Sequence, residues 1–239
     1  MPKSEVFNMD CIEGMKQYPD KYFELAIVDP PYGIKAVQRI YKVRDGYVNK
    51  AHKYPVRRGS HKIKEWDNER PPKEYFDELF RISKNQVVWG GNYFTDMLPV
   101  SRGWIFWDKD IYGDFSKGEL AWTNMDFALK KVLYVWDGMR QGQQVNKLTC
   151  KGGNHSMGNP CNLEIRDHPT QKPIMLYKWL VTEFAKQGDK ILDTHLGSQS
   201  SRIAAYDLGF DFIGYELDKD YFDQGCKRFE EFKSQLKLF

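Results

Sequence analysis

Residues 190–198 (KILDTHLGS) form a short apolar run that ends in an acid and leads into a Gly/Ser turn. A helical stretch follows at about 199–208 and is stopped by Gly209. Residues 210–216 (FDFIGYE) then form a second apolar run that also ends in an acid, Glu216. Strand, small-residue loop, helix, strand and acid in this order predict the nucleotide-binding half of a Rossmann-like α/β sheet.

A second informative stretch, Asp29-Pro30-Pro31-Tyr32, directly follows the apolar run 25–28. Proline cannot donate to a strand ladder, so two prolines end the strand and form a rigid turn. The turn presents a carboxylate, a prolyl carbonyl and an aromatic face together. Two acceptors and a ring suit a planar base with an exocyclic amino group, which carries two hydrogens and a face for stacking. The alternative is a capping role for Asp29 and a packing role for Tyr32.

Residues 35–64 are strongly basic, with ten Lys/Arg and one acid, a net charge of +9 in a chain whose total net charge is +3. Tyrosines and histidines are interleaved, and no helical or strand period persists. A basic, aromatic loop directly after the Asp29 turn predicts contact with a phosphate backbone and an extruded base. The alternative is a solvated basic surface. The predicted nucleic-acid contacts are Arg39, Lys42, Arg44, Lys53, Arg57, Arg58 and Lys62.

Together these stretches resemble the beta group of bacterial and phage DNA amino-methyltransferases, the adenine-specific branch, in which the catalytic motif precedes the cofactor half. Residues 8–11, 25–32, 168–173, 193–198 and 214–218 match the motifs of that family in order. The resemblance implies a Rossmann-like methyltransferase fold and S-adenosylmethionine as cofactor. It also implies methylation of the exocyclic amino group of a flipped-out adenine in DNA.

The resemblance assigns roles residue by residue. The catalytic motif is Asp29, Pro30, Pro31 and Tyr32. Asp10 would contact the cofactor adenine and Glu216 its ribose. Asp193 and Gly197 would line the methionine end, and the remaining cofactor neighbours are Ser198, Thr170 and Lys172.

One departure from the family pattern lies in the glycine loop, where Gln199 follows Gly197 and Ser198 in place of a glycine. If this position requires a positive φ, the side chain costs on the order of 1 kcal/mol and reshapes the pocket. The departure therefore bears on cofactor affinity. Thr194 and His195 also stand where Pro-Phe is commoner in the family.

The remaining composition favours one intracellular domain. Alternating apolar strands and amphipathic helices over 239 residues predict a single α/β domain, residues 1–239, with a mostly parallel sheet covered on both faces. A glycine-rich stretch, 138–165, is the predicted short recognition region. We expect no signal peptide, no membrane segment and no metal, and scattered cysteines favour the reducing cytoplasm. The oligomeric state is not predicted.

Four functions are compatible with these residues. The first is a DNA adenine amino-methyltransferase, of the kind found in restriction-modification systems. The second is a cytosine amino-methyltransferase, although that branch more often has Ser in place of Asp29. The third is an RNA adenine methyltransferase. The fourth, motivated by Gln199, is a DNA-binding protein with the methyltransferase fold and no catalysis.

The tail, residues 235–239 (QLKLF), resembles the short motif by which bacterial replication and repair proteins dock on the sliding clamp. A few apolar anchors in a preformed pocket are typical of such docking. The alternative is that the apolar side chains complete the core of this domain. The predicted clamp contacts are Gln235, Leu236, Leu238 and Phe239.

Overall fold

The computed structural model describes residues 1–35, 67–111, 116–136, 141–142, 164 and 170–236. The seven basic residues predicted to contact nucleic acid lie outside the described residues. So do Leu238, Phe239 and most of the predicted recognition region. These predictions stay predictions.

An eight-stranded sheet organises the described chain, in the order β1-β10-β9-β2-β3-β5-β4-β6. Every neighbouring pair is parallel except the two that involve β5, which runs antiparallel to β3 and β4. A short hairpin, β7-β8, forms a separate sheet. The strands are β1 Ser4–Phe7, β2 Phe23–Val28, β3 Ser83–Trp89, β4 Trp104–Asp108, β5 Gly118–Thr123, β6 Lys130–Leu133, β7 Val135–Trp136, β8 Gln141–Gly142, β9 Lys190–Asp193 and β10 Asp211–Tyr215.

Helices cover both faces of this sheet. Helices α1 (Cys11–Met15) and α2 (Lys73–Ile82) pack into one apolar core, and α3 (Ile174–Phe184) and α4 (Ser200–Asp207) into the other. Strand β2 divides its side chains between the two cores, because successive residues of a strand point to opposite faces. The predicted fold, a mostly parallel Rossmann-like sheet with helices on both faces, is confirmed.

The last helix is α5 (Lys219–Leu236), so Gln235 and Leu236 of the predicted clamp motif lie in its last turn. Since both lie in a helix, any clamp contact would have to use a helical segment at these positions or unwind it. Among the helices described, none is long and apolar enough to cross a membrane.

Candidate active site

The candidate site lies where the neighbouring parallel strands β9, β2 and β3 end. Parallel strands bring their carboxyl ends to one sheet edge, which is where ligands bind in open α/β sheets. Asp193 is the last residue of β9, Asp29 directly follows β2, and Gly90 directly follows β3. The predicted catalytic motif and the predicted cofactor residues therefore meet at one edge, although they are about 160 residues apart in sequence.

Four charged side chains alternate in sign beside the motif, and we call Asp29, Lys172, Glu119 and Lys109 the charge cluster. The Lys172 ammonium lies 2.5 Å from Asp29 Oδ2 and 3.2 Å from Glu119 Oε2. Lys109 pairs with the other Glu119 oxygen. The Lys172 side chain is only 4% exposed. Lys172, predicted as a cofactor neighbour, thus lies against the Asp29 carboxylate of the predicted catalytic motif.

The charge cluster shifts the ionisation of its members. Burial favours neutral Glu119, but the ammonium groups of Lys172 and Lys109 outweigh it and lower the pKa of Glu119 to about 2. Burial likewise favours neutral Lys172, but the carboxylates of Asp29 and Glu119 raise the pKa of Lys172. Lys172 is therefore an ammonium at neutral pH.

Tyr32 is held against the same carboxylate. Its hydroxyl donates to Asp29 Oδ1 at 2.7 Å, and Lys172 Nζ lies 3.3 Å from that hydroxyl. Both Asp29 oxygens thus have a donor. The Asp67 carboxylate fixes the turn by accepting from the backbone N–H groups of Tyr32, at 2.8 Å, and Gly33, at 3.0 Å.

The Tyr32 ring stacks on Tyr93, with ring centroids 4.8 Å apart and planes 17° apart. Gly90 makes this packing fit, because a Cβ there would lie 2.2 Å from the Tyr32 ring, and its φ of +66° also favours glycine. The sequence analysis did not predict Tyr93 as a member of this aromatic pair. The signal that could have indicated it is the glycine turn at the end of β3, the strand next to β2 and the motif.

On the cofactor side, Asp193 is buried among uncharged donors. Its Oδ1 accepts from the His195 N–H at 3.0 Å, and its Oδ2 accepts from the Ser201 hydroxyl at 2.5 Å. Burial raises the pKa of Asp193 to about 7, which the two hydrogen bonds only partly offset. Burial also lowers the pKa of His195 to about 4, so its ring is neutral at neutral pH.

Glu216 shapes the glycine loop from the end of β10. Its carboxylate accepts from the Gly197 N–H at 2.8 Å and from the Asp218 N–H at 2.9 Å. Gly197 has a φ of +48°, in the region that favours glycine. Ser198 is fixed differently, because its carbonyl accepts from Arg228 of α5 at 2.6 Å.

Gln199 has a φ of +59° and stands at the N-cap of α4, so the family's glycine position does require the left-handed region. Its side chain, fully buried, turns toward α5, where Nε2 donates to the Phe222 carbonyl at 3.2 Å. Gly225 accommodates it, since a Cβ there would lie 2.5 Å from Gln199 Cγ. Oε1 accepts from Arg202 at 2.9 Å. The side chain therefore packs into the protein between two helices.

Asp10 caps a helix. Its Oδ1 accepts from the backbone N–H groups of Ile12, at 2.8 Å, and Glu13, at 3.3 Å, at the start of α1. This contact is the capping geometry expected of Asp at a helix N-cap. Thr170 is described but half-buried, and its predicted cofactor contact stays a prediction. No cluster of His, Cys, Asp and Glu suited to a metal occurs in the described ranges.

Comparison with known proteins agrees with the motif order. A family model described as DNA methylase, covering N6 and N4 methyltransferases, matches residues 104–227, more than half of the chain. The chain belongs to this DNA methylase family. The match begins after β3, so it includes Glu119, Lys172, Asp193 and Glu216 and leaves out the Asp29 motif.

Curated relatives match this chain over short segments. The type II methyltransferase M2.DpnII of Streptococcus pneumoniae is 41% identical over 63 residues, 26% of this chain and 24% of that protein. The DNA adenine methyltransferase YhdJ of Escherichia coli (strain K12) is 36% identical over 67 residues, 28% and 23% of the two chains. The matched segments thus span about a quarter of these relatives.

Solved structures share the fold over nearly the whole chain. The complex of M1.HpyAVI with S-adenosylmethionine has a TM-score of 0.53 at 20% identity, covering 95% of this chain and 100% of that one. The PvuII cytosine-N4-specific DNA methyltransferase has a TM-score of 0.55 at 10% identity, covering 98% and 92%. At these levels of sequence identity, the structural similarity shows that the chains share a fold.

Proposed function

We propose that the methylase transfers a methyl group from S-adenosylmethionine to the exocyclic amino group of adenine in DNA. The observation that carries this proposal is the meeting of Asp29 and Tyr32 with Asp193 and the Gly197 loop at one sheet edge. An amino-group acceptor and a nucleotide-binding loop are thereby adjacent. Membership of the DNA methylase family supports the reaction class.

The cofactor-side residues fit S-adenosylmethionine. Asp193 is a buried acid held by one hydroxyl and one N–H, and a cationic ligand would favour its ionised form. Glu216 stands at the end of β10, where an acid in this fold accepts from ribose hydroxyls. The cofactor, when bound, supplies a methyl group activated by attachment to a sulfonium. The Gly197 loop would let it approach the backbone closely, and Asp10, Ser198 and Thr170 are further candidate neighbours.

The base-side residues would orient the nucleophile. The amino nitrogen of adenine is a weak nucleophile because its lone pair is delocalised into the ring. Asp29 and the Pro30 carbonyl would each accept one amino hydrogen and so favour a tetrahedral nitrogen, with its lone pair directed at the methyl group. The Asp29 carboxylate would also stabilise positive charge developing on that nitrogen. The Tyr32 hydroxyl, now on Asp29 Oδ1, would give way to the amino group.

DNA is the proposed partner, and the base must leave the duplex to reach this cleft. Flipping costs a few kcal/mol, which stacking and phosphate contacts offset. The Tyr32–Tyr93 pair offers an aromatic surface at the site, with Tyr93 37% exposed. Residues 35–64 supply the basic surface in this proposal, and residues 138–165 the recognition region.

The competing functions are separated by substrate. The PvuII enzyme has the same fold, so the fold leaves a cytosine substrate open, and Asp29 in the motif favours adenine. The buried side chain of Gln199, which motivates the non-catalytic alternative, packs against α5, and this packing supports a loop that can still bind the cofactor. The test is transfer of labelled methyl to matched DNA and RNA duplexes and single strands, with calorimetric titration of S-adenosylmethionine. RNA-only transfer, or no cofactor binding, would refute the proposal.

Docking on a bacterial sliding clamp through residues 235–239 is a further proposed partnership. The exposed Gln235, at the end of α5, keeps its amide accessible. The test deletes residues 235–239 and measures melting temperature, methylation and capture by a clamp. Loss of folding in the deletion, together with no clamp capture by the intact chain, would refute clamp docking in favour of core packing.

A further inference from the structure

Lys172 lies between two carboxylates that come from different parts of the sheet. Asp29 follows β2, and Glu119 lies on β5, the one antiparallel strand described in the main sheet. Lys109, which follows β4, pairs with Glu119 from the other side. The four charges sum to zero. This arrangement gives the catalytic carboxylate a cation that is itself held by a second anion.

Binding of a base disturbs this arrangement. Asp29 has both oxygens engaged, by Tyr32 at 2.7 Å and by Lys172 at 2.5 Å, so an incoming amino group must replace a donor or share an oxygen. Release of the neutral tyrosine hydroxyl is less costly than release of a buried ammonium, because an unpaired buried charge is far more expensive than a free hydroxyl. Lys172 must therefore stay while Asp29 turns.

We propose that Glu119 is a positioning residue for methyl transfer: it holds the Lys172 ammonium at a second carboxylate, so Asp29 can turn an oxygen toward the base amino group and keep its cation. This inference rests on the proposed function. Glu119 also offsets the repulsion between Lys172 and the positive charge that develops on the amino nitrogen. It acts through Lys172 and does not touch the substrate.

The alternative role, a proton relay from Asp29 outward, conflicts with the ionisation of the cluster. A relay would require Lys172 to pass a proton to Glu119. The pKa of Glu119 is lowered to about 2 and the pKa of Lys172 is raised, so this transfer is strongly uphill. Glu119 is accordingly a fixed charge.

Among the described residues, the anions paired with Lys172 are Asp29 and Glu119. The other groups around it are uncharged or more distant. Tyr32 faces it with a hydroxyl, and the Trp89 ring of β3 lies 5.3 Å from Nζ. Tyr177 of α3 is near Asp29 and Glu119, and its pKa is raised by burial and by the nearby acids. Asp193 of β9 and Asp29 repel each other, and this repulsion contributes to the raised pKa of Asp193.

The test is Glu119→Gln, which removes the charge and keeps the shape of the side chain. The control is Glu183→Gln on α3, which removes the same charge from an ion pair with Lys130 of β6. We expect Glu119→Gln to bind S-adenosylmethionine within about twofold of wild type and to lose about tenfold in kcat, with a much smaller change in KM for DNA. The control should match wild type in all three.

The pH profile separates positioning from simple structural loss. Removing an anion beside Lys172 lowers the pKa of its ammonium, and activity requires the charged form. The activity of Glu119→Gln should therefore decline at a lower pH than the activity of wild type. An equal loss at every pH, with the alkaline limb unmoved, would overturn the proposal.

A second readout is independent of methylation. The NMR signal of the Lys172 side chain, assigned with Lys172→Arg, should titrate at lower pH in Glu119→Gln than in wild type. Identical titration in the two proteins would overturn the proposal. If wild type methylates no nucleic acid, the proposed function fails, and this titration still decides whether Glu119 holds Lys172 charged.

Discussion

The two sides of the cleft balance their charges in different ways. On the base side, Asp29 and Glu119 alternate with Lys172 and Lys109, so the site is close to neutral without any ligand. On the cofactor side, Asp193 is held by a hydroxyl and an N–H, and no ion pair within the described residues includes it. The difference suits the proposed ligands, because adenine is neutral and S-adenosylmethionine carries a sulfonium.

The largest effect is expected from a substitution that alters only the base side of the cleft. Asp29→Asn should reduce methylation by about a thousandfold or more, because the amino group loses its anionic acceptor. Cofactor affinity should stay within a few-fold of wild type, since Asp29 belongs to the other side of the cleft. Single-turnover methylation and calorimetry measure the two quantities. Substantial turnover by this variant would reject the catalytic assignment.

The next effect concerns how DNA reaches the base side. Arg57→Glu with Arg58→Glu should weaken DNA binding and flatten its salt dependence, because each lost phosphate contact lowers the log–log slope by about 0.9. Binding is measured by fluorescence anisotropy over a range of salt concentrations. A double charge reversal at Lys227 and Lys233 of α5 serves as the control. A slope equal to wild type would identify residues 35–64 as solvated surface.

A smaller effect is expected on the cofactor side, in the pH dependence of cofactor affinity. Because the pKa of Asp193 is about 7 and a cationic ligand prefers its ionised form, cofactor affinity should rise about tenfold between pH 6 and pH 8. The sign follows from the proton that must leave Asp193 on binding. Calorimetry across this range measures the effect, and Asp193→Asn should abolish the pH dependence. A wild-type affinity that stays flat with pH would contradict the role of Asp193 as the cation's partner.

The smallest effect concerns Gln199, at the end of the glycine loop on the cofactor side. Gln199→Gly and Gln199→Ala both remove the hydrogen bonds to Phe222 and Arg202, but only glycine relieves the positive φ. The glycine variant should exceed the alanine variant in unfolding free energy by about 1 kcal/mol. Chemical denaturation measures the difference. Equal stabilities would mean that residue 199 is not held in the left-handed region.

The sequence predicted the features that local patterns control. The strands at 25–28 and 190–193, the loop and the acids at their ends follow from apolar runs and small residues read in order. The family motif at 168–173 identified Lys172 as a site residue. Its contact with Asp29 was not predicted, because the two residues are 143 positions apart. Its second partner, Glu119, lies on an antiparallel strand that carries no motif. Tyr93 was missed for the same reason, since strand order alone brings it to Tyr32.

At Gln199 the sequence raised the question of a positive φ and left both the backbone conformation and the side-chain direction open. The positive φ observed there agrees with the glycine that the family has at that position. The turn of the side chain toward α5 depends on Gly225, which leaves the space that Gln199 fills 26 residues earlier in the chain. Such a pair becomes visible only when the helices are placed against each other.

Identification of the methylated nucleoside tests whether this protein methylates adenine in DNA. DNA containing all four bases is incubated with the protein and S-adenosylmethionine carrying a deuterated methyl group, then digested and analysed by mass spectrometry, with Asp29→Asn in parallel. We expect deuterated N6-methyl-2′-deoxyadenosine with wild type and none above background with the variant. Label confined to N4-methylcytosine, or equal label with both proteins, would contradict this expectation.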